Sequence, residues 1–400
     1  MIYMKIKKLK AAHVYLVLVL CLSFAVSYIF AYKMTQIAWT DLGIHVSVAE
    51  SYLDGVESNS YPGFYLVYGL FTRVCGIPQT HGACCAMGMF SVLTGLAVYA
   101  ISGYLLGKDG TVGLRSLIVL FMNFFGPLYL GGGKYYLGQG SFNTWHNPTN
   151  SSVKFLALLC FFLFVYIYDM QTEDRVVVLG RKLNRLHLYV IVVMLTCLSL
   201  IFKPSFFQVF APTLAGIYGL DFLMKKRSFK SCVFDALLFL PAIALILYQM
   251  LSEVGGGDSG GGMYIYFARG WSFHSDNIFR SIMTQAIFPL FVCIFCEKNV
   301  LKNKFLYHSV MFYLVGIGEG LFLVESGPRV SHGNFLWGNN LGIGIVYLAC
   351  ICTFVKYVLS GTATKVSKII AWVGVILLSA QFFLGLNYIL KCLMIPMEYY

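Results

Sequence analysis

The sequence predicts an all-α fold, a polytopic bundle of transmembrane helices that forms a single membrane domain over residues 1–400. Of the 400 residues, 58% are hydrophobic and only 12% are charged, about half the charged share of an average soluble domain. The mean hydropathy is +0.75. Apolar runs follow one another along the chain, and no stretch between them is long enough for a separate soluble domain.

The apolar runs predict about eleven membrane spans. A helix needs about 20 residues to cross the hydrocarbon layer of a bilayer, and the runs come near or exceed that length. They lie near residues 12–32, 83–106, 116–131, 152–170, 188–203, 206–223, 232–251, 281–296, 306–324, 340–358 and 369–390.

The basic residues predict how the spans are oriented. If the N-terminus is cytoplasmic, most of the 29 Lys and Arg residues fall in short inner segments, as the positive-inside rule requires. We therefore expect a multi-pass protein of the plasma (inner) membrane, with its N-terminus in the cytoplasm. The net charge of +12 then reflects topology and contact with anionic membrane lipids, and nucleic acid is not an expected partner.

The first extracytoplasmic loop, residues 33–82, is predicted to carry two juxtamembrane helices. Val46–Leu53 forms one short apolar segment that ends before Gly55. Tyr61–Arg73 is apolar and aromatic, but it is too short to cross a bilayer. We expect it to lie on the outer membrane face, where aromatic side chains are favoured.

The longer outer segments hold the candidate functional residues, and Asp41 with His45 comes first. The two lie four residues apart, so on a helix they share a face and can form a carboxylate–imidazole site for acid–base chemistry. An acid at the exit of a span is costly if it faces lipid, which favours a functional role. The alternative is an ordinary loop pair at the level of the lipid headgroups.

Two further candidates flank the fourth and fifth spans. His146 lies in the run Trp145–Thr149, where Asn147 or Thr149 can cap the following helix but His146 has no such explanation. Lys203 lies at the outer end of a span, where the positive-inside rule disfavours a lysine. Binding of an anionic lipid phosphate and snorkelling to the headgroups both remain open for Lys203.

The last outer segment adds Glu319, Glu325, Arg329 and His332. An acid inside a span, such as Glu319, usually faces a cavity or a partner, and Arg329 or His332 is the expected partner. An arginine can also bind phosphate with two parallel hydrogen bonds. The alternative is a tight loop whose charges only pair with one another.

The residues do not indicate a cofactor. No His-Glu-x-x-His spacing is present, and most of the twelve cysteines lie inside apolar runs, where cysteine acts as a small hydrophobe. We therefore expect no metal ligands, although a divalent metal is compatible with the outer acids.

The first outer loop resembles that of the GT-C superfamily of membrane glycosyltransferases. Asp41 follows the first span, Leu53–Gly55 (LDG) ends a short helix, and Tyr61-Pro62 opens a second before the next span. The Lys203-Pro204 turn and the number of spans are also similar to members of that group. This chain has one acid, Asp41, at the place where many members have an acidic pair.

The resemblance implies a function for the outer residues. The donor would be a polyprenyl-phosphate-linked sugar, and the acceptor a glycan or a lipid in cell-surface polysaccharide or glycolipid synthesis. Asp41 would be the catalytic base that activates the acceptor hydroxyl. Lys203, Arg329 and His332 would hold the phosphate leaving group, since fixed cations stabilise such a charge.

Three other classes remain open from the sequence. A surface-polysaccharide polymerase or ligase that uses lipid-pyrophosphate-linked glycans would need similar outer residues. A lipid or solute transporter or flippase often shows internal repeats and broken helices, and no clear repeat is visible here. A structural or assembly subunit without catalysis is the third.

Overall fold

The structure is a computed structural model that describes residues 2–37, 40–131, 134–169, 175–178, 181–255, 262–361 and 364–394. Within these ranges the chain forms fifteen α-helices and two small two-stranded antiparallel sheets. The all-α class predicted from the sequence is confirmed.

The helices and strands follow one another in chain order. The first half comprises α1 (Ile2–Thr35), α2 (Asp41–Leu53), α3 (Gly63–Gly69), α4 (Gln79–Leu106), α5 (Val112–Phe124), α6 (Pro148–Asp169), β1 (Arg175–Val178), β2 (Arg181–Asn184) and α7 (Arg185–Phe202). The second half comprises α8 (Ser205–Leu223), α9 (Phe229–Leu237), α10 (Leu240–Gly255), β3 (Met263–Ile265), α11 (Arg269–Ser272), α12 (Ile278–Phe291), α13 (Lys304–Phe322), β4 (Leu323–Glu325), α14 (Leu336–Leu359) and α15 (Lys365–Met394).

Nine helices in the described ranges are long and apolar enough to cross a membrane, and α9 with α10 makes a tenth if that bent pair counts as one span. The two helices of the pair meet at an angle of 55°. The chain is thus a multi-pass bundle, with fewer full-length helices than the eleven predicted spans.

The missing span is the one predicted near 116–131. Here α5 has only 13 residues, about 20 Å of helix, whereas the hydrocarbon layer is about 30 Å thick. It ends at Phe124 because Pro127 cannot continue a helix and disfavours helical backbone in the residue before it. Gly126 also lets the chain touch α15, where its N–H donates to the Gln381 carbonyl at 3.0 Å.

The two predicted helices of the first outer loop are present as α2 and α3. They pack against the bundle, because Phe64, Tyr65 and Tyr68 of α3 are almost completely buried. Tyr68 donates a hydrogen bond of 2.5 Å to Glu50 of α2, which ties the two helices together. The loop therefore forms a fixed wall at one end of the bundle.

The core is built around α14, in which every residue from Leu336 to Phe354 is buried. This helix packs against α4, α6, α8, α12 and α13. A helix that is apolar on all sides belongs in the interior of a bundle, and its first turn carries Trp337 to the end where the candidate residues meet.

Charged and polar residues gather at the other end of the bundle in a separate cluster. Arg227 contacts Asp235 at 2.6 Å and lies over the rings of Tyr168 and Tyr218, while Tyr168 donates to Asp221. The charges of Arg227, Asp235 and Asp221 are paired within this cluster, and none of them contacts the candidate residues.

The segment 134–147 differs most from the sequence reading, which treated it as an outer loop. Every residue from Gly138 to Lys154 is buried. Its polar groups bind inside the protein: Asn143 Nδ2 donates to the carbonyls of Met122 and Phe125, both at 3.0 Å. Irregular backbone at membrane depth is stable only when protein satisfies it in this way.

Candidate functional site

Asp41 is the first residue of α2, and its position is set by the residue before it. Thr40 caps the helix by accepting from the Gly43 N–H at 3.2 Å, and its hydroxyl donates to the Met34 carbonyl at 2.8 Å. The positive end of the helix dipole favours a carboxylate at this place. The side chain of Asp41 is 42% exposed, so it is held by the fold and still open to a substrate.

Asn147 is the main partner of Asp41. Its Nδ2 donates to Asp41 Oδ2 at 3.0 Å, and its Oδ1 accepts from Lys203 Nζ, Thr149 Oγ1 and the Asn150 N–H at 3.2, 3.0 and 2.8 Å. All three neighbours of Oδ1 are donors, so the orientation of the amide is determined by its surroundings. Asn147 also caps α6, as expected, but its contact with Asp41 was not predicted.

Lys203 lies in the break between α7 and α8 and is buried, with 8% of its surface exposed. Its ammonium donates to Asn147 Oδ1 and to Thr149 Oγ1, and it lies 4.5 Å from the centre of the Trp337 ring. Burial lowers the pKa of Lys203 to about 7, against the opposing attraction of Asp41. Lys203 is therefore poised to lose or keep its charge near neutral pH.

The two predicted histidines have different neighbours. His146 Nε2 lies 3.9 Å from Asp41 Oδ2, whereas His45 Nδ1 lies 2.9 Å from the Tyr65 hydroxyl. Burial lowers the pKa of His45 to about 4 and also lowers the pKa of His146. Burial thus favours the neutral form of both rings, and it is His146, and not His45, that comes within 4 Å of the Asp41 carboxylate.

Asp41 opens into a cavity of about 220 Å³, which we call the Asp41 cavity. Its lining combines one acid with bases and aromatic rings: Thr40, Asp41, Lys134, Tyr135, Tyr136, Leu137, His146, His274, His332, Trp337 and Tyr388. Burial, followed by the nearby Lys134 charge, lowers the pKa of His274 to about 4. A space of this size with aromatic walls and scattered polar groups suits part of a sugar or acceptor.

One wall of this cavity is conformationally strained. Tyr136 has a φ of +32°, in the left-handed region that residues with side chains seldom adopt. Its ring is packed between Trp145 and Tyr388, at centroid distances of 5.9 and 3.6 Å. Strain of this kind persists only where packing imposes it, and it is often found at functional sites.

A second cavity of about 330 Å³ lies beside the first, and we call it the Lys203 cavity. Polar and apolar groups share its lining: Ser60, Tyr61, Lys203, Pro204, Ser205, Gln208, Ile246, Gln249, Met250, Gly262, Met263, Glu319, Leu323, Glu325, Ser326, Arg329, Asn334 and Phe335. Since Lys203 lines this cavity and Trp337 lines the other, their contact forms part of the wall between them.

The acids of the Lys203 cavity are paired differently from the expectation. Arg329 contacts Glu325 at 3.2 Å, and Asn334 also donates to Glu325, at 2.5 Å. Glu319 has neither Arg329 nor His332 as a partner. Its Oε2 is buried and has no hydrogen bond within the described part of the chain, which leaves it facing the cavity.

The structure thus divides the predicted site residues between two adjoining cavities. Asp41, His146 and His332 line the first, while Lys203, Glu319, Glu325 and Arg329 line the second, and His45 lies one helical turn from Asp41. Sequence reasoning missed the role of Asn147 and the lining residues Lys134, His274 and Trp337. Asn147 lies in Trp145–Thr149, a short run rich in polar residues, and this run was the sequence feature that could have pointed to its role.

No group of three or more His, Cys, Asp or Glu residues within the described ranges is arranged to hold a metal ion.

Comparison of the sequence with models of known protein families finds no match, and comparison with curated proteins finds none either. The functional argument therefore depends on the two cavities and their side chains.

Proposed function

We propose that this chain is an inverting membrane glycosyltransferase of the GT-C type. It would move a sugar from a polyprenyl-phosphate donor to a glycan or lipid acceptor during synthesis of the cell envelope. The observation that carries the proposal is the chain of contacts Asp41–Asn147–Lys203, which joins an accessible carboxylate to a buried cation at the wall between two cavities.

Asp41 fits the role of general base. Its Oδ2 accepts from Asn147, while its Oδ1 accepts no hydrogen bond from the described residues. In the proposed reaction, an acceptor hydroxyl attacks the anomeric carbon of the sugar and gives its proton to Asp41. The bond between that carbon and the phosphate oxygen breaks, and polyprenyl phosphate leaves with the electron pair.

The Lys203 cavity fits the leaving group. Lys203 and Arg329 supply positive charge for a phosphate, since charge-assisted hydrogen bonds to phosphate are strong. Ile246, Met250 and Phe335 supply apolar surface for the first part of a prenyl chain. The charges are distributed as the proposed reaction requires. The base lies in one cavity, and the cations for the leaving phosphate lie at the edge of the other.

We also infer the membrane and the side on which the reaction takes place. The end of the bundle opposite the two cavities carries Arg185 and Arg227, as the positive-inside rule requires for a cytoplasmic face. The N-terminus would then be cytoplasmic, and both cavities would open on the extracytoplasmic side of the plasma (inner) membrane.

One observation favours a different class. The 55° bend between α9 and α10 is a feature that transporters use at their substrate sites, so a lipid or solute flippase is the second candidate. A polymerase or ligase that uses lipid-pyrophosphate-linked glycans would occupy the same cavities, and the chemistry of the lipid that accumulates without the protein distinguishes it.

The test is complementation of a deletion strain of the native host with Asp41→Asn. We expect the variant to leave a surface glycan incomplete and to accumulate a polyprenyl-phosphate-linked sugar, seen by mass spectrometry of lipid extracts. Asp54→Asn is the matched control, because Asp54 lies in the same loop and is 56% exposed. Full glycan synthesis by Asp41→Asn at normal protein level refutes the catalytic role.

A further inference from the structure

Lys154 is a buried lysine that the proposed reaction does not use. It lies in α6, six residues after Pro148, and only 5% of its surface is exposed. Its ammonium lies 4.9 Å from the centre of the Phe142 ring, and it makes no hydrogen bond or ion pair with another described residue. A lysine at such a position inside a span is costly without a partner and usually marks a site.

Beside Lys154 lies a small polar cavity of about 20 Å³, here called the Lys154 cavity. It is enclosed by α1, α4, α5, α6 and the segment 134–147. Its lining contains no acid: Ser27, Met87, Phe90, Ser91, Thr94, Asn123, Asn143, Trp145, Ser151 and Lys154. The space holds one water or one monatomic ion, and it is too small for phosphate or sulfate.

The neutral groups of this cavity supply hydrogen-bond partners but no negative charge. Asn143 uses both amide hydrogens on backbone carbonyls, and Thr94 and Ser151 donate to carbonyls as well. Asn123 uses one of its two amide hydrogens, on Ser23. The second hydrogen of Asn123 remains, together with the ammonium of Lys154.

Charge balance then indicates the ligand. A buried ammonium without a carboxylate in contact is strongly unfavourable, and Lys154 can remain charged in such a place only with a counter-charge from elsewhere. We propose that the Lys154 cavity is a binding site for a single small inorganic anion of the size of chloride, held by Lys154 and Asn123. This inference is independent of the reaction proposed for Asp41.

The anion would also support the neighbouring site. Trp145 separates the Lys154 cavity from the Asp41 cavity, stacking on Tyr388 at a centroid distance of 6.1 Å. His146 and Asn147 follow directly after Trp145 in the chain. Filling the Lys154 cavity therefore stabilises the wall that positions both partners of Asp41.

The experiment measures thermal unfolding of the purified full chain in nanodiscs at constant ionic strength, with gluconate replaced stepwise by chloride or bromide. Because an anion that binds only the folded state stabilises it by mass action, we expect Tm to rise by a few degrees and to saturate. Sulfate stabilises proteins generally because it is excluded from their surface, so any rise that it produces should not saturate and should persist in Lys154→Met. Lys154→Met should abolish the halide effect, whereas Lys134→Met, which removes an exposed lysine, should keep it.

Two results would overturn the proposal: no halide-specific rise for the wild type, or an equal rise for Lys154→Met. If Lys154→Met fails to fold, bromide anomalous scattering from wild-type crystals decides. A peak in contact with the Lys154 ammonium supports the site. A cavity without a peak at saturating bromide refutes it, and Lys154 is then a neutral amine or contacts a water there.

Discussion

The side-chain amide of Asn147 donates to Asp41 at 3.0 Å. The orientation of this amide is fixed, because its oxygen already accepts from three donors. The carboxylate of Asp41 is therefore oriented by a buried side chain 106 residues away in the chain. The same amide contacts Lys203, so one group positions both the proposed base and the proposed phosphate-binding cation.

Replacement of Asn147 by Asp should impair the base more than the fold. The variant loses the donor to Asp41 and places a second carboxylate beside it, and like charges so close resist ionising together. We expect sugar transfer to fall by about 10–100-fold at pH 7, the scale of losses for groups that orient a reactive one. The acid limb of the pH–rate profile should move to higher pH.

The matched variant for this prediction is Thr149→Val, which removes a hydroxyl from the other side of the same amide. It should lower the rate less and leave the position of the acid limb unchanged. An Asn147→Asp profile that overlays the wild type would show that Asn147 does not act on the base.

Lys203 should make stability depend on pH in a definite direction. Burial lowers its pKa to about 7, whereas an unfolded lysine has a pKa of about 10.4. Between these values the unfolded chain binds more protons, so the contribution of Lys203 to the free energy of unfolding rises with pH. We expect this rise between about pH 7 and 10 in melting experiments.

Lys203→Met lacks the titrating group and should lose that rise, while Lys134→Met, at an exposed lysine, should retain it. The wild type and Lys203→Met differ in this window by the contribution of one group. Parallel pH profiles for the two proteins would show that the ammonium is not perturbed by the fold.

Arg329 should affect donor binding more than the chemical step. Removing its charge from the Lys203 cavity weakens attraction for phosphate, and a lysine there cannot reproduce the two parallel hydrogen bonds of an arginine. We expect Arg329→Ala to raise KM for the lipid donor by about 10-fold or more, the effect of losing one charged hydrogen bond, with Arg329→Lys in between.

Arg73→Ala provides the control for the arginine prediction, because Arg73 forms exposed ion pairs with Glu50 and Asp54 at 2.6 and 2.9 Å and lines neither cavity. Such surface pairs contribute little. If Arg329→Ala changes only kcat, the phosphate role of this arginine is wrong.

Gly138 should tolerate no side chain. A Cβ at this position would lie 1.7 Å from the carbonyl oxygen of His274, and Trp271 donates to the Gly138 carbonyl at 3.0 Å, which holds the two segments together. Gly138→Ala should therefore lower Tm by several degrees and disturb the Asp41 cavity, since overpacking costs about 1–3 kcal/mol. Gly113→Ala, where a Cβ meets nothing within 4 Å, should be neutral or stabilising.

The fold was predictable where the signal was local. Length and apolarity define a spanning helix without reference to any partner, so the positions of the helices were predicted well. The span near 116–131 was overestimated because the residues on both sides of Pro127 are apolar, although the backbone at a proline cannot remain helical.

The segment 134–147 could not be placed from the sequence. Glycine, asparagine and serine are typical of exposed loops, yet here Asn143 donates to Met122 of α5, and the Ser141 N–H donates to Asn340 of α14, which lies 199 residues away in the chain. Burial of such a segment depends on tertiary contacts, which neither composition nor periodicity reports.

Only part of the candidate site was predicted, because some of its contacts also depend on tertiary structure. Asp41, His146 and Lys203 were identified because a charged or titratable residue near a membrane needs an explanation. Asn147 is neutral and had a local explanation as a helix cap, which is correct but incomplete. Its bond to Asp41 joins residues that are 106 positions apart in the chain, and the spacing of residues in the sequence does not reveal such a contact.

The measurement that tests the central claim most directly is release of polyprenyl phosphate by purified protein in proteoliposomes. The proteoliposomes are made with the lipid extract of the deletion strain and supplied with its surface glycan as acceptor. Wild-type protein should convert the polyprenyl-phosphate-linked sugar to polyprenyl phosphate, and Asp41→Asn should leave it intact at equal protein content. Release at the wild-type rate by Asp41→Asn, or movement of the lipid across the bilayer by the wild type without any release, would contradict the account.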